Sequence, residues 1–285
     1  MTPTEKRNRL RAILKGDKCI SPATVWDALS ARVAEAAGFE CGILSGSVSA
    51  ATVLGAPDMA LQTLTEFAAQ VRCVTRASNL SVFVDADQGY GNALNAMRTV
   101  EELEHAGLAG LAIEDLIMPL PFGVHGKDVL IPVPEAVGKL KAALSARQDS
   151  SLVIVARTAS LRIEPLPVVL ERLRAYVGAG VDALFVTGVK HLADLEATCK
   201  AVHIPVTLGS APDISRADSA ACGVRFRLQG HAVLAACAKA MHDTYMHLKE
   251  DRDPAALKPS LATPETMAKL YKVADYKQWN DTYLN

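Results

Sequence analysis

Short apolar runs alternate with stretches of near-helical hydrophobic spacing along most of the chain. Residues 18–20, 41–45, 82–85, 110–114, 152–157, 183–187, 204–208 and 225–229 read as buried strands. Helices are expected at 25–37, 64–76, 95–106, 135–147, 167–179, 192–202 and 231–249. In the third of these, Met97, Val100 and Leu103 set apolar groups at near-helical spacing. Such alternation predicts a parallel sheet with helical crossovers, and eight units favour a closed (β/α)8 barrel over an open doubly wound sheet. No Gly-x-Gly-x-x-Gly follows an early strand, which argues against a dinucleotide-binding fold.

After Glu250 the pattern changes. Residues 251–262 are charged and contain proline, and Thr263 then begins a helix with Pro264 at its first position. Leu270, Tyr271, Val273, Tyr276 and Trp279 form an aromatic stripe that packs either on the protomer's own helices or on another subunit. The expected organisation is one α/β domain over 1–285, a TIM-type barrel with 251–285 as a C-terminal helical extension.

Composition narrows the function class. Half of the 285 residues are hydrophobic and the formal net charge is -1, so no basic surplus points to nucleic acid. Residues 1–18 carry no apolar core of a signal peptide, and no run of about 18 apolar residues suggests a membrane span. The six cysteines are scattered without a Cys-x-x-Cys pair, so they read as reduced, mostly buried thiols of a cytoplasmic protein.

In a (β/α)8 barrel the reactive groups gather at the C-terminal ends of the strands. Those ends carry Ser45-Gly46-Ser47, Asp85 with Asp87, Glu114 with Asp115, Arg157-Thr158, Thr187, Gly209-Ser210 and Gly230-His231. Strand alternation turns Asp85 and Asp87 to the same face, where two carboxylates repel unless a cation or proton lies between them. The Gly89-Tyr90-Gly91 turn beyond them would let the backbone approach a ligand closely. Asp58, in the turn after the second strand, reaches toward the same mouth. Oxygen ligands without clustered histidines suit Mg²⁺ or Mn²⁺; the alternative is a set of helix caps and ion pairs.

Arg157 offers a planar fork to a substrate carboxylate, or neutralises Glu114 as a structural pair. Ser45, Gly46 and Ser47 offer donors to a developing oxyanion, or simply form a tight turn. His231 reads as a general acid or substrate contact. The long 115–134 loop reads as a lid with hinges at Gly123 and Gly126, and its His125 and Lys127 as contacts to an anionic substrate or as solvated loop residues.

Several motifs together resemble the isocitrate lyase/phosphoenolpyruvate mutase superfamily. They are Val25-Trp-Asp-Ala-Leu-Ser-Ala-Arg32, Leu44-Ser-Gly-Ser47, Pro57-Asp58, Val84-Asp-Ala-Asp-Gln-Gly-Tyr-Gly-Asn92, Ala112-Ile-Glu-Asp115 and Ala156-Arg-Thr158. The resemblance implies a barrel with a helix swapped between subunits, assembled as a homotetramer (dimer of dimers). It also implies Mg²⁺ at Asp85, its waters held by Asp58, Asp87 and Glu114, and an α-keto acid or relative held as an enolate. Ser45, Gly46 and Ser47 would then bind the substrate's carboxylate and enolate oxygen, with Arg157 as the charged partner.

Departures from the family pattern select the chemistry. The 119–128 loop lacks the cysteine of the lyase lid, and Thr187-Gly188 stands where the lyases carry a glutamate. The mutase lid sequence Asn-Ser-Leu is also absent. A cysteine-free lid, Gly91-Asn-Ala-Leu-Asn95, Phe122-Gly123 and His231 are most similar to the oxaloacetate decarboxylase branch. That branch's tyrosine after the seventh strand has no counterpart in Pro205-Val-Thr-Leu-Gly-Ser-Ala-Pro212. The expected reaction is Mg²⁺-dependent loss of CO₂ from oxaloacetate or a close 2-keto diacid. Its alternatives are a 2-methylisocitrate lyase-like or phosphonopyruvate-type enzyme, an imine-forming aldolase using Lys190, and a regulatory barrel that binds keto acids without turnover.

Overall fold

The computed structural model describes residues 1–285 except His125 and Lys127, so the sequence expectation for those two side chains lies outside the described residues. The chain divides into two compact units, Met1–Gly230 and His231–Asn285.

The first unit holds strands β1 (Ala23–Thr24), β2 (Cys41–Leu44), β3 (Ser81–Asp85), β4 (Gly110–Glu114), β5 (Val153–Thr158), β6 (Ala183–Val186), β7 (Val206–Leu208) and β8 (Val224–Arg227). Each pairs in parallel with the next. Ile20 closes the ring: its N–H donates to Arg225 O at 2.9 Å and its carbonyl accepts from Arg227 N at 2.9 Å. The expected (β/α)8 barrel is therefore the observed fold. Ile43, Phe83, Val155, Phe185 and Phe226 fill its interior, with the Phe83 and Phe226 rings 6.4 Å apart.

Helices α2 (Ala28–Ala36), α4 (Leu64–Ala77), α5 (Ala93–His105), α6 (Val133–Ala146), α7 (Leu166–Ala179) and α8 (Leu192–Val202) cross between strands, with short α3 (Gly46–Ser49) and α9 (Arg216–Ala221). Their starts follow local chemistry. Thr63 with Glu66, and Asn92 with Asn95, form reciprocal capping boxes that occupy the first free N–H groups of α4 and α5.

Two elements depart from the sequence expectation. The first strand lies at 23–24 rather than 18–20, because Pro22 has no N–H and interrupts the ladder between Ile20 and Ala23. The polar N-terminus is a helix, α1 (Pro3–Lys15), set against the starting ends of the strands. Lys6 Nζ donates to Thr75 O and Ser78 O at 2.7 and 2.6 Å, Arg9 Nε to Ser81 Oγ at 2.9 Å, and Arg11 Nε to Ser151 O at 2.7 Å. Its basic residues thus cap carbonyls and a hydroxyl around the strand starts while Leu10 and Leu14 enter the barrel core. A Cβ at Gly110 would come within 2.9 Å of both Leu10 Cδ2 and Val153 Cβ, so glycine at the start of β4 leaves room for the plug beside β5.

The second unit contains α10 (Ala232–Lys249), α11 (Pro264–Leu270) and α12 (Val273–Tyr283), with Pro264 in the first turn of α11 as expected. Tyr276 and Trp279 meet edge-on at 5.1 Å, and Met241, Tyr245 and Tyr283 are exposed. Among the described residues no helix is long and apolar enough to cross a membrane. All six cysteines are free, but only Cys19 and Cys41 are buried, which corrects the expectation that most would be.

Leu10 is fully buried in the barrel floor. Leu10→Ala is expected to lower the unfolding free energy by about 2–5 kcal/mol in urea titration. A loss below about 1 kcal/mol would show that α1 does not plug the barrel.

Candidate active site

The C-terminal ends of β3, β4 and β5 place Asp85, Glu114 and Arg157 together. β4 and β5 pair Glu114 directly with Arg157 in register, and β3 places Asp85 beside Ala112. Arg157 Nη1 donates to Asp85 Oδ2 and lies 3.1 Å from Glu114 Oε2, an ion pair without hydrogen-bond alignment. The guanidinium also lies over the Phe185 ring, 5.2 Å from its centroid. Asp85 Oδ1 and Arg157 Nε are buried and have no hydrogen-bond partner among the described residues.

Asp87 joins this group by a route that strand alternation does not describe. β3 ends at Asp85, and Asp87 is brought round by a turn in which it adopts φ 46°. Its carbonyl accepts from Glu114 N at 2.8 Å. A Cβ at Gly46 would run into the Asp87 carboxylate, so glycine at 46 is what lets the β2 and β3 loops approach. Ser45 caps α3, accepting from Val48 N at 3.3 Å, and its hydroxyl lies 3.1 Å from that of Ser47. Ser45, Gly46 and Ser47 therefore flank the acid group through Asp87.

The electrostatics follow from burial and crowding. Burial first, then Asp85, Glu114 and Asp58, push the Asp87 carboxyl well above the ordinary carboxylate range. Burial likewise raises Glu114; Arg157 opposes this, while Asp85, Asp115 and Asp58 reinforce it. Burial disfavours charge on Arg157, but Asp85 and Glu114 outweigh it and hold the guanidinium firmly protonated. Among the described residues Asp85, Glu114 and Asp87 crowd one guanidinium, so the group as built attracts a further positive charge or a proton.

Among the described residues, no three His, Cys, Asp or Glu side chains form a ready set of direct metal ligands. The unpartnered Asp85 oxygen, with Asp58, Asp87 and Glu114 around it, does fit a hard cation held by one carboxylate while the others hold its waters.

A cavity of about 640 Å³ opens over this group. Asp58, Asp87, Glu114 and Arg157 line it, as do apolar residues of the 115–134 loop such as Met118 and Phe122. The loop is strapped at its base: Ile117 N donates to Val129 O, and Ile131 N to Asp115 O, each at 2.8 Å. Gln88 Nε2 holds Met118 O at 2.8 Å, and buried Lys139 holds Gln88 O at 2.9 Å. The 88–91 turn is thus fastened to protein on both sides.

Asp115 and Thr158 do not face the mouth, contrary to expectation. Neighbours on a strand point to opposite sides, so with Glu114 and Arg157 inward these two turn outward toward α7. There Asp115 Oδ2 accepts from Thr158 Oγ1 at 2.8 Å, Tyr176 OH at 2.6 Å and Arg172 Nη1 at 3.3 Å. Arg172 also reaches Ile131 O at 3.2 Å and pairs with Glu164. This network braces the ends of β4 and β5 from behind.

Two charged residues at the cavity escaped the sequence reading, Arg162 and Asp128. The signal was present in a second arginine five residues after Arg157, in the loop that follows the same strand. His231 begins the second unit, immediately before α10. Lys190 is exposed just beyond β6.

Residues 10–249 match the family model described as phosphoenolpyruvate phosphomutase. The chain is 50% identical to an oxaloacetate decarboxylase of Bradyrhizobium diazoefficiens, over 95% of this chain and 94% of that one. Among solved structures it is similar to a phosphoenolpyruvate phosphomutase from Streptomyces platensis subsp. rosaceus, with TM-score 0.88 and 28% identity over 98% of this chain and 99% of that one. It is also similar to a phosphonopyruvate hydrolase in complex with oxalate and Mg²⁺, with TM-score 0.88 and 25% identity over the whole of both chains. By sequence and by fold, the chain belongs to the phosphoenolpyruvate phosphomutase family of the isocitrate lyase/phosphoenolpyruvate mutase superfamily.

Proposed function

We propose that this chain is a divalent-cation-dependent decarboxylase that converts oxaloacetate, or a close 2-keto diacid, to pyruvate and CO₂. The observation that carries this reading is the buried carboxylate group around Arg157, with one oxygen of Asp85 left without a partner among the described residues. The half-identical relative named oxaloacetate decarboxylase supports the substrate, and the Mg²⁺ of the phosphonopyruvate hydrolase complex supports the ion.

Asp85 would hold Mg²⁺, or Mn²⁺, directly, with Asp58, Asp87 and Glu114 holding its waters. Bound there, the ion supplies a Lewis acid that polarises the keto group. The hydroxyls of Ser45 and Ser47 and the Gly46 N–H orient the C1 carboxylate and donate to the C2 oxygen as charge collects on it. Arg157, which lines the cavity beside Asp85 and Glu114, is the charged partner of the substrate's oxygens. The C3–C4 bond then breaks, its electron pair moves toward C2, CO₂ departs, and C3 takes a proton. On chain position alone, shortly after β8, we assign His231, or a water it orients, to helping that protonation or to positioning the leaving carboxylate. An imine route is disfavoured because Lys190 is exposed, whereas an amine nucleophile is activated by desolvation or a neighbouring cation. The reading includes a cytoplasmic location and a homotetramer, and sedimentation of the full chain checks the second.

Oxaloacetate turnover is expected with Mg²⁺ or Mn²⁺, to vanish in EDTA and to return on adding metal; turnover that survives EDTA overturns the proposal. Asp85→Asn and Arg157→Met are each expected to lower kcat/KM by about 10²–10³, and His231→Gln to lower kcat by about 10².

A thermal-shift series gives a check that needs no turnover. Asp87 and Glu114 bind protons more tightly folded than unfolded, so in metal-free protein their stabilisation is present at low pH and is lost as pH rises through their elevated pKa values. A bound cation replaces those protons, so Mg²⁺ is expected to raise Tm more at about pH 8 than at about pH 5. An equal rise at both would show that it binds elsewhere.

A further inference from the structure

The cavity has a second cationic group that the proposed chemistry does not use. Arg162 ends the one-turn helix Ser160–Arg162 that follows β5. Its stem lies across Gly188, at the end of β6, so closely that any Cβ there would run into Arg162 Cγ. Gly188 also adopts φ 84°, so a side chain at this position is excluded on both counts.

Thr187 completes the seat. Its hydroxyl lies 3.4 Å from Thr158 O, to which it donates, so its lone pair is left to accept from Arg162 Nη2 at 3.1 Å. The other edge of the guanidinium points to a carboxylate: Nη1 lies 3.3 Å from Asp128 Oδ2. Thr187 is thus a fixed tether. Asp128, on the 115–134 loop, is an exchangeable partner, since both side chains are more than a third exposed and such pairs are weak in water.

Arg157 and Arg162 are the two cations among the described residues that line the cavity. The charge of Arg157 is already shared between Asp85 and Glu114. A 2-keto diacid brings two carboxylates. The one beside the keto group belongs over the acid group and its cation, and the distal one then needs a separate positive partner.

We propose that Arg162 reads the distal carboxylate of the substrate, which takes the place of Asp128 on Nη1, and so selects 2-keto diacids over 2-keto monoacids. The assignment rests on the keto-acid reading of the site given above. Arg162 is a specificity residue and not a catalytic aid. The distal carboxylate leaves as neutral CO₂, so an arginine bound to it stabilises the ground state at least as much as the transition state. Losing that contact raises KM without lowering kcat.

The test is calorimetric titration of the Mg²⁺-supplemented full-length protein with oxalate, which lacks a distal carboxylate, and with 3,3-difluorooxaloacetate, which has one. Arg162→Gln is expected to weaken the diacid about tenfold and to leave oxalate within about twofold, with Arg162→Lys recovering part of the loss. In turnover, KM for oxaloacetate rises by the same factor and kcat does not fall. Equal weakening of both ligands, undiminished diacid binding, or a fall in kcat at unchanged KM overturns the proposal. Oxalate binding doubles as the control for an intact site. If Arg162→Gln shows the binding split but the wild-type protein does not decarboxylate oxaloacetate, the Arg162 assignment stands and the decarboxylase reading alone is removed.

Discussion

One guanidinium held among buried carboxylates is the interaction on which the rest of the structure depends. Arg157 lies against Asp85 and Glu114, with Asp87 and Asp58 close enough to raise the proton affinity of their neighbours. Burying so much like charge is costly unless a cation completes it, and a stable protein does not carry that cost without a use for it. The parallel register fixes the arrangement, because pairing Glu114 with Arg157 across β4 and β5 leaves neither side chain free to drift.

Behind that pair the opposite faces of the same strands are tied down. Asp115 and Thr158 sit one residue beyond Glu114 and Arg157, and their bonds to Tyr176 and Arg172 anchor the strand ends to α7. Arg172 and Gln88 also hold carbonyls at the two stems of the 115–134 loop. The reactive face and the loop over it therefore share supports, so a change in this buried network is felt at the site without touching a ligand.

Alternation of strand and helix was readable because a parallel strand buried on both faces leaves a short continuous apolar run. That pattern located β2 through β8 to within a few residues, while the family was reached through a resemblance carried by several motifs together, among them those spanning 84–92, 112–115 and 156–158. Periodicity failed where side chains act against their composition. The N-terminal segment is mostly polar and charged, yet it forms a helix whose basic residues bond carbonyls and carboxylates around the strand starts while Leu10, Ile13 and Leu14 face the core. Asp115 was placed at the mouth because proximity in sequence was taken for proximity in space, although adjacent strand residues face opposite ways.

By itself the sequence determined the barrel, the strand ends that carry acids and an arginine, and the absence of a lyase-type cysteine from the loop above them. These are local properties, set by a residue's place in a short period. Only the tertiary structure decided that Asp87 swings in through a left-handed turn and that Gly46 and Gly188 are empty space for Asp87 and Arg162. It also turned one of two adjacent acids inward and its neighbour away. Each of these depends on a contact between loops 20 or more residues apart, or on which face of a strand meets the core, and no short stretch of sequence encodes either.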